Sequence, residues 1–143
     1  MLLMSKLLLD TNLLYYAVDT ASMFHSTSQR FIDQVDEELY TTTKNISEFL
    51  VATTRGDSPT LTPDQALGAI EDFSKFITIV YPDERSLDQH KLFLKHYNPR
   101  GKKIHDYEIA AIAVANDIRR IATFNASDFA KITEVTVVAP QDT

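Results

Sequence analysis

The sequence predicts an α/β fold in which a mainly parallel central sheet of about five strands lies between two layers of helices, α/β/α. Three observations carry this. Short β-rich or apolar runs alternate with helix-periodic segments along the whole chain. The first run, Leu7-Leu8-Leu9, is apolar at every position, which suits a strand covered on both faces. The connections are short, so nothing marks a second domain in the 143 residues.

The elements follow in order. Leu7 to Leu9 is the first strand, and Leu13 to Val18 a short helix or turn broken by Asp19 to Ser22. Phe24 to Val35 is helical, with Phe31, Ile32 and Val35 on one stripe. Leu39-Tyr40-Thr41-Thr42-Thr43 is β-rich and gives the second strand. Thr43 then caps a helix from about Lys44 to Thr54, with Ile46, Phe49, Leu50 and Thr53 at helical spacing. Arg55-Gly56-Asp57-Ser58-Pro59 ends it. Thr62-Pro63-Asp64-Gln65 starts a helix that runs to about Phe76, with a cap, a proline at the first position and glutamine at the third. Ile77 to Val80 is the third strand. Pro82-Asp83 introduces a helix from Glu84 to His96 with Leu87, Leu92 and Leu94 to bury. Asn98-Pro99-Arg100-Gly101 is a loop. Ile104 to Ile118 is the most regular helix, with Ile109, Ile112, Ala113 and Asn116 recurring and alanines between them. Ile121 to Phe124 and Val135 to Val138 are the last two strands, separated by a turn or short helix at Ser127 to Lys131.

Composition limits the chemistry. With no cysteine, disulfides and thiolate metal sites are excluded, and a reducing compartment is compatible. The apolar start, Met1 to Leu9, is interrupted by Ser5-Lys6, lacks a small-residue cleavage site and is too short to span a bilayer. The expected location is the cytoplasm, with no membrane partner. The net charge of −6 argues against a general nucleic-acid coat, though not against a site that gathers carboxylates around metal ions.

Four acids stand at the ends of successive units. Asp10 ends the first strand. Glu48 lies one turn into the helix after the second. Asp106 opens the long helix before the fourth strand, and Asp128 follows that strand. If the first and fourth strands are neighbours, Asp10 and the Asn125–Asp128 loop share one crevice, where open α/β sheets place their ligands. Hard cations such as Mg²⁺ take one or two carboxylates and keep waters, and metal ions assist phosphodiester cleavage at both attacking and leaving oxygens. Taken singly, each acid has a plainer reading: a cap for Asp10 and Asp128, a solvated helix acid for Glu48, a favourable N-terminal charge for Asp106. The other sixteen, including Asp36-Glu37-Glu38, Glu71-Asp72 and Asp142, read mostly as solvated. Of the four histidines only His105 lies nearby, and it reads as packing or surface. Arg100, Lys102 and Lys103, just before Asp106, are candidate contacts to substrate phosphates; the plainer reading is surface charge.

The blocks Leu8-Leu9-Asp10-Thr11-Asn12, Ile46-Ser47-Glu48-Phe49, Ile104-His105-Asp106-Tyr107-Glu108-Ile109-Ala110-Ala111 and Ile121-Ala122-Thr123-Phe124-Asn125 with Asp128-Phe129 resemble PIN-domain proteins in family order. They look most like the VapC-type ribonuclease toxins of toxin–antitoxin pairs. Each motif alone is weak; the ordered set, spread over nearly the whole chain, is not. The resemblance implies a single PIN-like domain over residues 1–143 and endonucleolytic cleavage of RNA with Mg²⁺ or Mn²⁺. It also implies a homodimer and neutralisation by a small antitoxin. By motif match it makes Asp10, Glu48, Asp106 and Asp128 the catalytic metal-site acids, with Thr11, Asn12, Thr123 and Asn125 as polar support. Many relatives carry an acid two residues after the threonine matching Thr123, where this chain has Asn125, so either Asn125 or Asp128 completes the set.

Other readings fit less well. A haloacid-dehalogenase-type phosphatase wants a second aspartate where Asn12 stands. A phospho-acceptor receiver domain expects an acid pair after the first strand and a lysine after the last. A PIN-like binding module without activity would have no need of the four acids. Clustered acids also imply a raised pKa for at least one of them. The apolar side chains Phe24, Phe31, Ile32, Val35, Ile46, Phe49 and Leu50 suggest either core or a groove for a partner helix.

Overall fold

A computed structural model describes residues 4–142. Its strands are β1 (Lys6–Leu9), β2 (Glu38–Thr42), β3 (Ile77–Val80), β4 (Arg120–Ala122) and β5 (Thr136–Val138). Its α-helices are α1 (Thr11–Val18), α2 (His25–Gln34), α3 (Thr43–Thr54), α4 (Pro63–Phe73), α5 (Glu84–Tyr97) and α6 (Lys103–Ala115). Short 3-10 turns sit at Ala126–Asp128 and Pro140–Asp142. All five strands pair in parallel, in the order β3-β2-β1-β4-β5. That differs from the 2-1-3-4-5 order of flavodoxin-like sheets, which removes the receiver-domain reading.

The three leucines of β1 show how the layers are built. Strand side chains alternate in direction. Leu7 and Leu9 enter one core with Leu13 and Leu14 of α1, Phe31 and Ile32 of α2, Phe49 of α3 and Phe73 of α4. Leu8 enters the other with Phe93 of α5, Ile109 and Ala110 of α6, Ile121, Phe129 and Ile132. Both faces of the sheet are therefore covered, as an all-apolar strand requires. Ala110, Ala111 and Ala113 are wholly buried, and such small side chains let α6 lie close against the sheet.

Several boundaries move. The cap of α3 is Thr42, one residue before the expected Thr43; Thr42 and Asn45 form a reciprocal capping box. Helix α4 ends at Phe73 rather than Phe76. Helix α6 ends at Ala115 rather than Ile118, because Asp117 takes a left-handed φ of 60° and Ile118 N–H turns back to Ala113 O. Strand β4 ends at Ala122, although Thr123 N–H still donates to Val138 O at 3.1 Å. On α5 the expected buried stripe fails: Leu87 and Leu92 are more than half exposed, and Phe93 is the residue that packs. The apolar set suggested as a partner groove is largely core, with Phe31, Ile32 and Phe49 buried and Val35, Ile46 and Leu50 packed against them. Met1–Leu3 and the side chain of Asp142 lie outside the described residues, as do the expectations that fall on them.

Glu37, expected to be solvated, is not. Its side chain is 11% exposed and receives both Arg120 Nε (3.0 Å) and Arg120 Nη2 (3.1 Å), with Ser5 Oγ donating at 2.9 Å. This ties the segment before β2 to β4 across the N-terminal strand ends. Arg120→Ala is expected to cost about 1–3 kcal/mol, because it strands a mostly covered carboxylate. Glu37→Gln with Arg120→Ala together should recover part of that loss in urea unfolding.

Candidate active site

The crevice forms where the chain reverses its direction of travel through the sheet. From β1 it builds outward through β2 to β3, then returns to place β4 on the other side of β1. Loops leaving neighbouring β1 and β4 must diverge, and this opens a cleft beyond their carboxyl ends. Leu9 pairs with Ala122, so Asp10 and Thr123 leave the sheet side by side.

Asp10 is nearly buried, at 7% exposure, and both its oxygens are engaged. Oδ1 accepts from Thr11 N–H (2.8 Å), which caps α1, and from Asn45 Nδ2 (3.1 Å). Oδ2 accepts from Thr123 Oγ1 (2.8 Å). Thr123 Oγ1 in turn receives Asn12 Nδ2 (3.2 Å) and Asn125 N–H (3.0 Å), while Asn12 Oδ1 receives Phe124 N–H (3.2 Å). So Asp10 both caps a helix and faces the cleft; the capping bond is part of what fixes its carboxylate. Burial pushes its pKa from 3.8 up to about 6, against the pull of the Thr123 and Thr11 bonds; the charges of Glu48 and Asp128 push the same way.

Glu48 sits one turn into α3, and Thr11 Oγ1 donates to its Oε2 at 2.8 Å. Asp106, in the first turn of α6, makes no hydrogen bond among the described residues. Its one close charge partner is Lys103 at 3.9 Å. Its pKa also rises from 3.8 to about 6, through burial first and then the Asp128 charge, with Lys103 opposing and Asp10 and Glu48 adding. Asp128 ends the 3-10 turn after β4 and pairs with Lys103 at 3.5 Å. One cleft of about 340 Å³ is lined by all four acids with Thr11, Asn12, Asn125, Tyr15, Tyr16, Ala52 and Arg55. The four acids thus meet, and Asn125 and Asp128 both reach the same space.

Three placements change the sequence picture. Lys103 lies between Asp106 and Asp128 rather than standing free at the mouth, while Arg100 and Lys102 are exposed and form no ion pair among the described residues. Asn45, not singled out from the sequence, is wholly buried and joins Asp10 to Thr11 by donating to both (3.1 and 3.0 Å). Its signal is the Thr-x-x-Asn spacing of the capping box at Thr42. Arg55, which in the sequence marks only a helix stop, lines the cleft.

Among the described residues no group of three or more His, Cys, Asp or Glu side chains is placed so that it could hold a metal ion together. The donor set still fits a hydrated Mg²⁺ or Mn²⁺, which needs only one or two carboxylates and keeps waters. Asp10 offers a rigid carboxylate, and Asp106 an oxygen pair with no hydrogen bond to give up.

The family model of the PIN domain matches residues 7–135. No curated relative matches the chain by sequence. Among solved structures, VapBC-1 from nontypeable Haemophilus influenzae is similar, with a TM-score of 0.69 and 20% identity over 95% of this chain and 98% of that one. VapC20 of Mycobacterium tuberculosis, described as a sarcin-ricin loop cleaving toxin, gives 0.70 at 15% identity over 90% and 98%. DNA-bound VapBC from Salmonella typhimurium gives 0.69 at 18% over 96% and 99%. Likeness at these identities establishes the fold.

Proposed function

This chain belongs to the PIN-domain family, and from that premise we propose that it is a metal-dependent endoribonuclease and the toxin of a type II toxin–antitoxin pair. The observation that carries the reading is the meeting of Asp10, Glu48, Asp106 and Asp128, from four separate parts of the chain, around one cleft at the carboxyl ends of β1 and β4. Solved structures similar to this chain include a toxin–antitoxin complex from Klebsiella pneumoniae and the sarcin-ricin loop cleaving toxin VapC20, which supports the same reading.

A bound Mg²⁺ or Mn²⁺ would supply a more acidic water and neutralise charge building on the phosphate oxygens. Asp10 and Asp106 are the residues to hold it. Thr11 N–H, Asn45 and Thr123 fix the orientation of Asp10, so little reorganisation is needed when substrate arrives. Glu48, oriented by Thr11 Oγ1, is poised to accept a hydrogen bond from an attacking water. Asp128 holds Lys103 at the rim, where its ammonium can turn from carboxylate to substrate phosphate. Arg100 and Lys102, exposed in the loop before α6, are the further cations proposed to meet substrate phosphates. The remaining parts of the proposal are a small antitoxin partner, a homodimer and a cytoplasmic location. No helix among the described residues is long and apolar enough to cross a membrane.

Purified protein is expected to cut single-stranded or loop RNA with Mg²⁺ or Mn²⁺ and to stop on addition of chelator. Binding of RNA without cutting, with either metal, would instead favour an inactive PIN-like binding module.

A further inference from the structure

The acid cleft is the middle of three joined depressions. On one side it shares Thr11, Glu48, Ala52 and Arg55 with a hollow of about 410 Å³ that continues to Lys44 and His105. On the other it shares Asp128 with a hollow of about 360 Å³ reaching Tyr97 and Lys131. The cations along this trough are not equivalent. Lys44 is paired with Glu108 at 3.6 Å, and Lys103 with Asp106 and Asp128. Arg55 and Lys131 are exposed and form no ion pair among the described residues. A chain of net charge −6 that must bring a phosphodiester against four carboxylates needs uncommitted cations on the approach.

We propose that a single RNA strand crosses the cleft along this trough, with a phosphate on one side of the cleavage point held by Arg55 and one on the other side by Lys131. The inference rests on the ribonuclease reading above and adds a binding track to it. Arg55 suits the inner position: it closes α3 two turns beyond Glu48, on the same helix face, and its planar fork can grip two phosphate oxygens at once. Lys131 suits the outer one, as a point charge on a flexible stem. Tyr97 beside it is fixed at both ends, its hydroxyl by Glu134 and Thr133 and its ring by Phe93, His96 and Tyr107, so it gives this end of the trough a rigid, half-buried wall. A single strand fits because its backbone can enter a cleft.

The test measures steady-state cleavage of a single-stranded RNA of about 12 nucleotides, in Mg²⁺, across a range of salt. Arg55→Ala and Lys131→Ala should each lower kcat/KM at least about tenfold, mainly through KM, with kcat changed less than about threefold. The salt dependence of log(kcat/KM) should flatten by about 0.7 per substitution, the slope that one neutralised phosphate contributes on a single strand. Arg55→Lys should restore the slope while recovering only part of the KM. Lys75→Ala, whose ammonium is already paired with Asp72, is the control and should match wild type. Thermal melts at the wild-type temperature confirm that the exposed substitutions leave the fold intact. If wild type cuts and both alanine variants keep its KM and slope, the track is wrong while the ribonuclease reading stands. A wild type that does not cut RNA in Mg²⁺ or Mn²⁺ overturns both.

Discussion

Asp106→Asn is expected to abolish RNA cleavage and, in chelator at neutral pH, to raise the melting temperature. The two effects have one origin. Asp106 is kept near three other acids by the fold, with Lys103 as a 3.9 Å partner and no hydrogen bond among the described residues. Its pKa is lifted from 3.8 to about 6. The folded protein therefore binds more protons than the unfolded chain between those values, and stability is lost as pH rises through that window. Above it the full penalty is present. A neutral amide of the same shape removes it, for a gain of order ~1 kcal/mol, discounted because the group is only partly buried. The gain should shrink as pH falls toward about 4. With saturating Mg²⁺ the order reverses, since wild type gains binding free energy that the variant forgoes. Melts in chelator and in Mg²⁺ at two pH values check this. An Asp106→Asn protein that melts below wild type in chelator would make the carboxylate a structural one.

Asp10 shares the raised pKa but not the outcome. Clustering alone predicts that Asp10→Asn and Asp106→Asn behave alike. Around Asp10, however, both oxygens accept from groups that can only donate there or are already saturated. Thr11 N–H and Asn45 Nδ2 hold Oδ1, and the Thr123 hydroxyl that donates to Oδ2 already accepts two N–H groups. Either orientation of an amide sets its NH₂ against donors. Asp10→Asn should lose activity and stability together, which separates a carboxylate fixed by donors from one left free for a cation.

What could be read from the sequence follows this division. The leucines of β1 announce a strand covered twice, and the acids after the strands announce a shared crevice, because both are local patterns tied to chain order. Other features depend on distant partners. Glu37 reads as one of a run of solvated acids, yet Arg120, distant in sequence, makes it nearly buried. The end of α6 depends on Asp117 adopting a left-handed φ that Asn or Gly would signal more plainly. Leu87 and Leu92 are apolar but lie off the packed stripe of α5, where Phe93 and Ser86 are buried. Arg55 is legible as a helix stop, and only the cleft shows what it faces.

Asn45 is where local and distant requirements coincide, and its replacement is the second large effect expected. Its Oδ1 accepts from Thr42 N–H (3.3 Å) and Thr42 Oγ1 (2.7 Å); its Nδ2 donates to Asp10 Oδ1 and Thr11 Oγ1. All four bonds are made in a wholly buried side chain. Asn45→Ala leaves the cap of α3 and one oxygen of Asp10 short of partners, beside a void that relaxation fills only in part. A loss of about 2–4 kcal/mol follows in urea unfolding. The catalytic loss is separate and travels through other residues. Without the Nδ2 donor the ionised form of Asp10 is less favoured, and Thr11, which orients Glu48, loses one of its two side-chain restraints. Cleavage should fall about 10–100-fold, the range usual for groups that support metal ligands. The acid limb of the pH–rate profile should move to higher pH, which a merely structural residue would not cause. Asn45→Asp discriminates further: it keeps an acceptor for Thr42 but sets a second carboxylate against Asp10. Its activity should recover as pH is lowered only where the introduced carboxyl becomes protonated, and its stability should fall as pH rises and the raised pair of carboxyls loses its protons. An Asn45→Ala protein with the wild-type acid limb would confine Asn45 to capping α3.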